Sequence, residues 1–185
     1  MNRHHNPIIF VLLAGLLWAT RATHFGSASF LPDASWAVLF GAGYLLGMRA
    51  WAALLALAVG IDALAFGGAR ASDQLLTASY ACLQFAHIAL LLAGRALREN
   101  ATAASFSRYA IGSVIFAFFV SNTGYYWLSG HFEATSVMGY LRQFNTYLWP
   151  YLTVSLGYIL AGALVVLAAS RTRALSAVSP QREAA

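Results

Sequence analysis

Cys82 is the only cysteine among 185 residues, and it lies inside a long apolar stretch, Ser72 to Leu97, reading SDQLLTASYACLQFAHIALLLAGRAL. A lone thiol can be a soft donor to a metal or a nucleophile, and each use demands company. Turned by about 100° per residue, the stretch puts Ala78, Ser79, Phe85, Ala86 and Ala89 within about 60° of Cys82 and gathers Tyr80, Gln84 and His87 on the opposite side. Small neighbours permit either close helix packing or a bulky ligand laid against the sulfur. A buried cysteine acting only as a small hydrophobe fits the same pattern. His87 lies about 140° round the helix from Cys82, so the two cannot clamp one ion from the same face. A metal that meets one protein ligand must arrive already chelated, which points to a macrocycle, a corrin or a haem, and not to a free metal ion. Nucleophilic use needs a base within hydrogen-bonding reach. No Cys-His dyad is visible, and His24 or Asp62 would have to approach from other helices.

A second group is aromatic. His24, Phe25 and Phe30 fall in one expected loop, while Tyr125, Tyr126, Trp127, His131, Phe132, Tyr140, Phe144, Tyr147 and Trp149 lie in or beside another. Trp and Tyr at such places anchor membrane interfaces. As a group they also suffice to line a pocket for a large, flat, partly apolar ligand with Cys82 as its floor. Asp62, near the end of an apolar run, is costly in a bilayer unless paired or wet, and is a functional candidate by default.

The elements that hold these residues follow from composition. Hydrophobic residues make up 60% of the chain and charged ones 9%, with mean hydropathy +0.66. A water-facing surface needs far more charge, so this is an integral membrane protein. One cysteine excludes an internal disulfide and a multi-thiolate zinc or iron-sulfur site. The pattern predicts a single all-α membrane domain of six transmembrane helices, with spans at about 7–21, 34–48, 50–66, 72–97, 109–128 and 151–169. A helix over 72–97 would measure about 39 Å, more than the roughly 30 Å of hydrocarbon, and would set Cys82 about 15 Å from its Ser72 end. Asp33 followed by Ser35 reads as a helix start. Arg49 marks a turn, residues 95–108 a polar connection, and the segment from Ser129 to Pro150 a long aromatic loop. Met1 to Asn6 followed by an apolar run resemble a signal peptide, but no clear cleavage site follows, so an uncleaved first span is expected.

The positive balance comes from arginine alone, scattered between apolar runs, which excludes a nucleic-acid patch. With the N-terminus inside, Arg3, Arg49, Arg95, Arg98, Arg108, Arg171, Arg173 and Arg182 are cytoplasmic, and Arg21, Arg70 and Arg142 face out. That asymmetry predicts cytoplasmic termini, with the long aromatic loops and the Ser72 end of the cysteine helix outside.

The segment THFGSASFLPDASWAVLFGAGYLLG, an Asp near the far end of the third span and a lone cysteine in the fourth together resemble the BtuM-type cobalamin transporters of Gram-negative bacteria. The resemblance covers the layout of nearly the whole chain. It implies a six-helix bundle like the substrate-binding S-components of energy-coupling-factor transporters, set in the inner membrane, with a corrinoid in an outward-facing pocket and no obligate ATPase module. It also implies that Cys82 coordinates the corrin cobalt, and that this goes with loss of the upper cyanide of cyanocobalamin; His24 and Asp62 carry over as pocket residues by neighbourhood. The chain has no lysine and hence no Walker A loop, so any energy source is external or transport is drawn by trapping. Docking to an energising module uses small residues on the first helix; the one pair here, Gly15 and Ala19, leaves it open. Besides a transporter, the residues admit an intramembrane haem- or quinone-binding redox protein, a thiol-dependent membrane enzyme, or a scaffold without a small ligand.

Overall fold

A bilayer leaves no water for unpaired backbone groups, so a chain this apolar must satisfy them internally, by helices or a closed barrel. The computed structural model describes residues 7–21, 32–67 and 71–178, and these form helices and short turns with no strand among them. The helices are α1 (Pro7–Arg21), α2 (Ser35–Leu45), α3 (Met48–Ala65), α4 (Ala71–Leu75), α5 (Ala78–Glu99), α6 (Ala103–Leu128) and α7 (Val137–Val178). Four stretches are long and apolar enough to cross a membrane, Met48–Ala65, Ala78–Glu99, Ala103–Leu128 and Val137–Thr172, while α1 and α2 are shorter apolar helices. The protein is therefore a multi-pass membrane protein.

The short α2 is apolar on every side, and such a helix belongs in an interior. Residues from Ser35 to Phe40, with Ala42 and Gly43, are buried, and α2 packs on α1, α3, α5 and α7. Two glycines make its crossing with α5 possible. A Cβ on Gly43 would overlap the Leu91 carbonyl, and one on Gly94 would overlap the Phe40 carbonyl, so the two backbones are in direct contact. Leu17, Leu39, Leu54 and Ile61 fill the core between α1, α2 and α3. Phe40, Leu90, Val114 and Phe118 fill the one between α2, α5, α6 and α7.

Four expectations are corrected. The stretch 72–97 is not one helix: α4 stops at Leu75 and α5 starts at Ala78. Thr77 causes the break, because its hydroxyl donates to the Gln74 carbonyl at 2.7 Å and accepts the Tyr80 N–H at 3.2 Å, closing one helix and capping the next. The segment before Pro150 is not a loop, since α7 begins at Val137 and runs through the proline. Pro150 removes one ladder bond, but Phe144, Leu148, Leu152, Leu156 and Ile159 keep one face packed on the core on both sides of it. Finally, the polar 95–108 connection shrinks to 100–102, with Thr102 and Ser105 forming a capping box that starts α6, and Arg49 lies inside α3, the turn falling at 46–47.

Candidate functional site

Arg21 ends α1, Ser35 begins α2, Asp62 lies in the last turn of α3 and Tyr80 in the first turn of α5, so antiparallel packing brings all four to one end of the bundle. There Arg21 grips Asp62 bidentately, Nε to Oδ1 at 2.7 Å and Nη2 to Oδ2 at 2.7 Å. Its remaining nitrogen, Nη1, donates to Ser35 Oγ at 2.8 Å and to Asp33 Oδ2 at 3.3 Å. The Tyr80 hydroxyl donates to Asp62 Oδ2 at 2.8 Å. Asp62 is 1% exposed. A carboxylate so deep is tolerable only with a charge and hydrogen bonds on its oxygens, and both oxygens have them here. Asp33 also accepts the Ser35 N–H at 2.9 Å, which ties the expected helix start to the same cluster. Arg21, assigned to an outer loop by charge counting, is thus a buried partner within the fold.

Cys82 occupies the second turn of α5, four residues from Ala78, or about 6 Å along the axis. Earlier termination of the helix corrects the expected depth of about 15 Å and puts the thiol near the same end as the Arg21–Asp62 pair. The thiol is free, and the residue is half-buried. It rests on α6 at Gly124, where an added Cβ would collide with Cys82 Cβ and stand 2.7 Å from Sγ, with the Ser79 backbone 3.7 Å away. Only a glycine at 124 leaves the sulfur its place. The predicted face of small residues is therefore the α5–α6 contact. Phe85 is 64% exposed and turned outward. His87 is fully buried, with Nδ1 3.3 Å from Gln84 Oε1. Its Nε2, Gln84 Nε2 and Asn122 Oδ1 are buried without a hydrogen-bond partner.

The aromatic candidates divide into two sets. Tyr126, 4% exposed, donates its hydroxyl proton to the Ser136 carbonyl at 3.1 Å and accepts the Ser136 N–H at 3.0 Å, which pins the α6–α7 connection. Its ring meets Tyr140 at 5.6 Å, Tyr140 meets Phe144 at 5.7 Å, and Phe144 meets Phe118 edge-on at 5.0 Å. The Tyr140 hydroxyl pairs with Thr123 Oγ1 at 2.7 Å. These three therefore bind α7 to α6. Tyr125 and Tyr147 are exposed instead, with Tyr125 stacked edge-on against His131 and Phe132. His24, Phe25 and Phe30 lie outside the described residues.

Sequence reasoning passed over Arg21, Tyr80 and Gly124. The signal for the first was available: an arginine ending one apolar helix and an aspartate ending another are each expensive alone in a membrane. Among the described residues, no three His, Cys, Asp or Glu side chains come together to hold a metal ion. Chemically, this end of the bundle offers a half-buried thiol on the α6 side of α5, a rigid charged brace on the other side of the same helix, and exposed rings. No protein-family model matches the chain, and no curated protein matches it.

Proposed function

We propose that this protein binds a corrinoid at the Cys82 end of the bundle and carries it across the bacterial inner membrane. In this reading α1 and α2 cross alongside the four long helices to make a six-span, S-component-like bundle, with both termini cytoplasmic and Cys82 facing the periplasmic side. The observation that carries the proposal is the setting of the thiol: half-buried in the second turn of α5, at the same end of the bundle as the exposed Tyr125 and as the Arg21–Asp62 brace, which meets the other face of α5 through Tyr80. The resemblance in sequence layout supports the same ligand class.

The sulfur supplies a single donor, so the metal it meets brings its own equatorial ligands, as cobalt does in a corrin ring. With cyanocobalamin as substrate, the Cys82 thiol would give up its proton and donate an electron pair to cobalt(III) in place of the lower base, which would leave with its own lone pair. The opposite cyanide leaves with its bonding pair and takes a proton as hydrogen cyanide. No electron is transferred to or from the metal, and the exchange needs no further reactant. Bonding to the metal is what would hold the sulfur in its deprotonated form. The Arg21–Asp62 pair takes no part in this exchange; it holds the ends of α1 and α3 against the start of α5.

Purified protein mixed with cyanocobalamin should show a changed visible spectrum, with free cyanide appearing in step, and Cys82→Ala should show neither. An unchanged spectrum, or the same change in Cys82→Ala, would refute thiol coordination. Rescue of growth in a strain unable to import cobalamin separates a transporter from a redox protein or enzyme using the same end of the bundle.

A further inference from the structure

At the opposite end of the α5–α6 pair, far from Cys82, lies a groove of about 390 Å³ whose walls include Ala89, Ala93 and Ala96 of α5 and Gly112 and Phe116 of α6, with Arg108 at its mouth. Small side chains make the trough, and Gly112 deepens it: a Cβ there would meet nothing within 4 Å. The walls beside it, Leu92 and Phe116, are exposed apolar surface. Along α6 the groove runs from residue 108 to 116, about 12 Å, close to the depth of one leaflet and well short of the roughly 30 Å that a transmembrane partner helix would cover. Arg108 is exposed and rests over the Tyr109 ring at 6.0 Å, with no carboxylate partner among the described residues. Arg95 stands near the same turn, with Glu99 four residues on in the same helix. The α6 sequence itself contains no acidic residue.

We propose that this groove binds an anionic phospholipid, one acyl chain lying in the trough between α5 and α6 and the phosphate on the Arg108 guanidinium. A shallow apolar trough of about leaflet length, with a cation at its headgroup end that no carboxylate pairs with among the described residues, matches a lipid in both shape and charge. Guanidinium pairs with phosphate through two parallel N–H donors, and a juxtamembrane arginine adds appreciably to anionic-lipid affinity. The site is separate from the Cys82 end, so it stands whether or not that end binds a corrinoid.

The test is native mass spectrometry of the full chain released from bilayers of equal parts dioleoyl phosphatidylglycerol and dioleoyl phosphatidylethanolamine. Phosphatidylglycerol should be retained in preference, and Arg108→Gln should lower that preference about five-fold. Gly112→Leu, whose side chain enters open space, should reduce retention of both lipids without changing charge; Ala96→Leu is a second way to fill the trough. Arg142→Gln, in α7 at the other end, should leave retention as it is. Equal retention of the two lipids, or an Arg108→Gln protein indistinguishable from the parent, overturns the proposal. So does unaltered retention in both groove-filling variants, which would mean surface attraction without a groove. A lipid-free dimer that either groove-filling variant dissociates would assign the trough to a second copy of the chain instead.

Discussion

Arg21 and Asp62 illustrate how a single pair can be both costly and necessary. Two charges taken from water lose hydration that their attraction barely restores, yet removing one leaves the other stranded. Asp62→Asn is therefore expected to destabilise the protein by about 3–5 kcal/mol, seen as a lower thermal unfolding midpoint in detergent. Arg21→Met combined with Asp62→Leu should recover much of that loss. If Asp62→Asn unfolds at the parent's temperature but loses corrinoid, the residue is a pocket ligand and not a brace. Asp62 itself was legible in the sequence because a carboxylate in an apolar run is conspicuous. That it needed a cation could be read too, but not which residues would meet it, since Arg21 is 41 residues away and Tyr80 18, and no periodicity links them. Charge counting placed Arg21 at the outer end because it weighs each arginine alone, and so it says nothing of the pairing with Asp62 that buries it there.

At the scale of elements, helical content and the apolar runs were readable, but ends and interruptions depended on single side chains. A hydropathy window cannot see Thr77 switching from Gln74 to Tyr80, and that switch moves Cys82 from mid-helix to the second turn of α5. Conversely, Pro150 looked like a boundary, yet the four-residue spacing from Phe144 to Leu156 was in the sequence and outweighs one missing hydrogen bond. The α5–α6 pair makes its own prediction. Gly124→Val forces a branched side chain onto Cys82 and should cost about 1–3 kcal/mol through overpacking, read in the unfolding midpoint. It should also slow modification of Cys82 by a maleimide, because the sulfur must shift into the remaining contact. A variant of parent stability and parent thiol reactivity would mean that α5 and α6 are not packed through this pair.

For the whole molecule, contacts alone give the arrangement of the bundle, and the membrane adds direction. The ends of α1, α3 and α6 and the starts of α2, α5 and α7 share one face of the protein, and Arg95, Arg98 and Arg108 flank the α5–α6 turn at the other. Basic residues are held on the cytoplasmic side of inner membranes, so under the inner-membrane reading proposed above the first face should look into the periplasm. With a single cysteine in the chain, the native protein carries its own reporter of that orientation. In intact cells, a membrane-impermeant maleimide should label Cys82 once the outer membrane is made permeable, without disrupting the inner one. Excess cyanocobalamin should protect it, because a sulfur bonded to cobalt and covered by the ring is a far weaker nucleophile than a free thiolate. Labelling that requires an opened inner membrane would invert the topology, and labelling at an equal rate with and without the corrinoid would separate the thiol from the ligand.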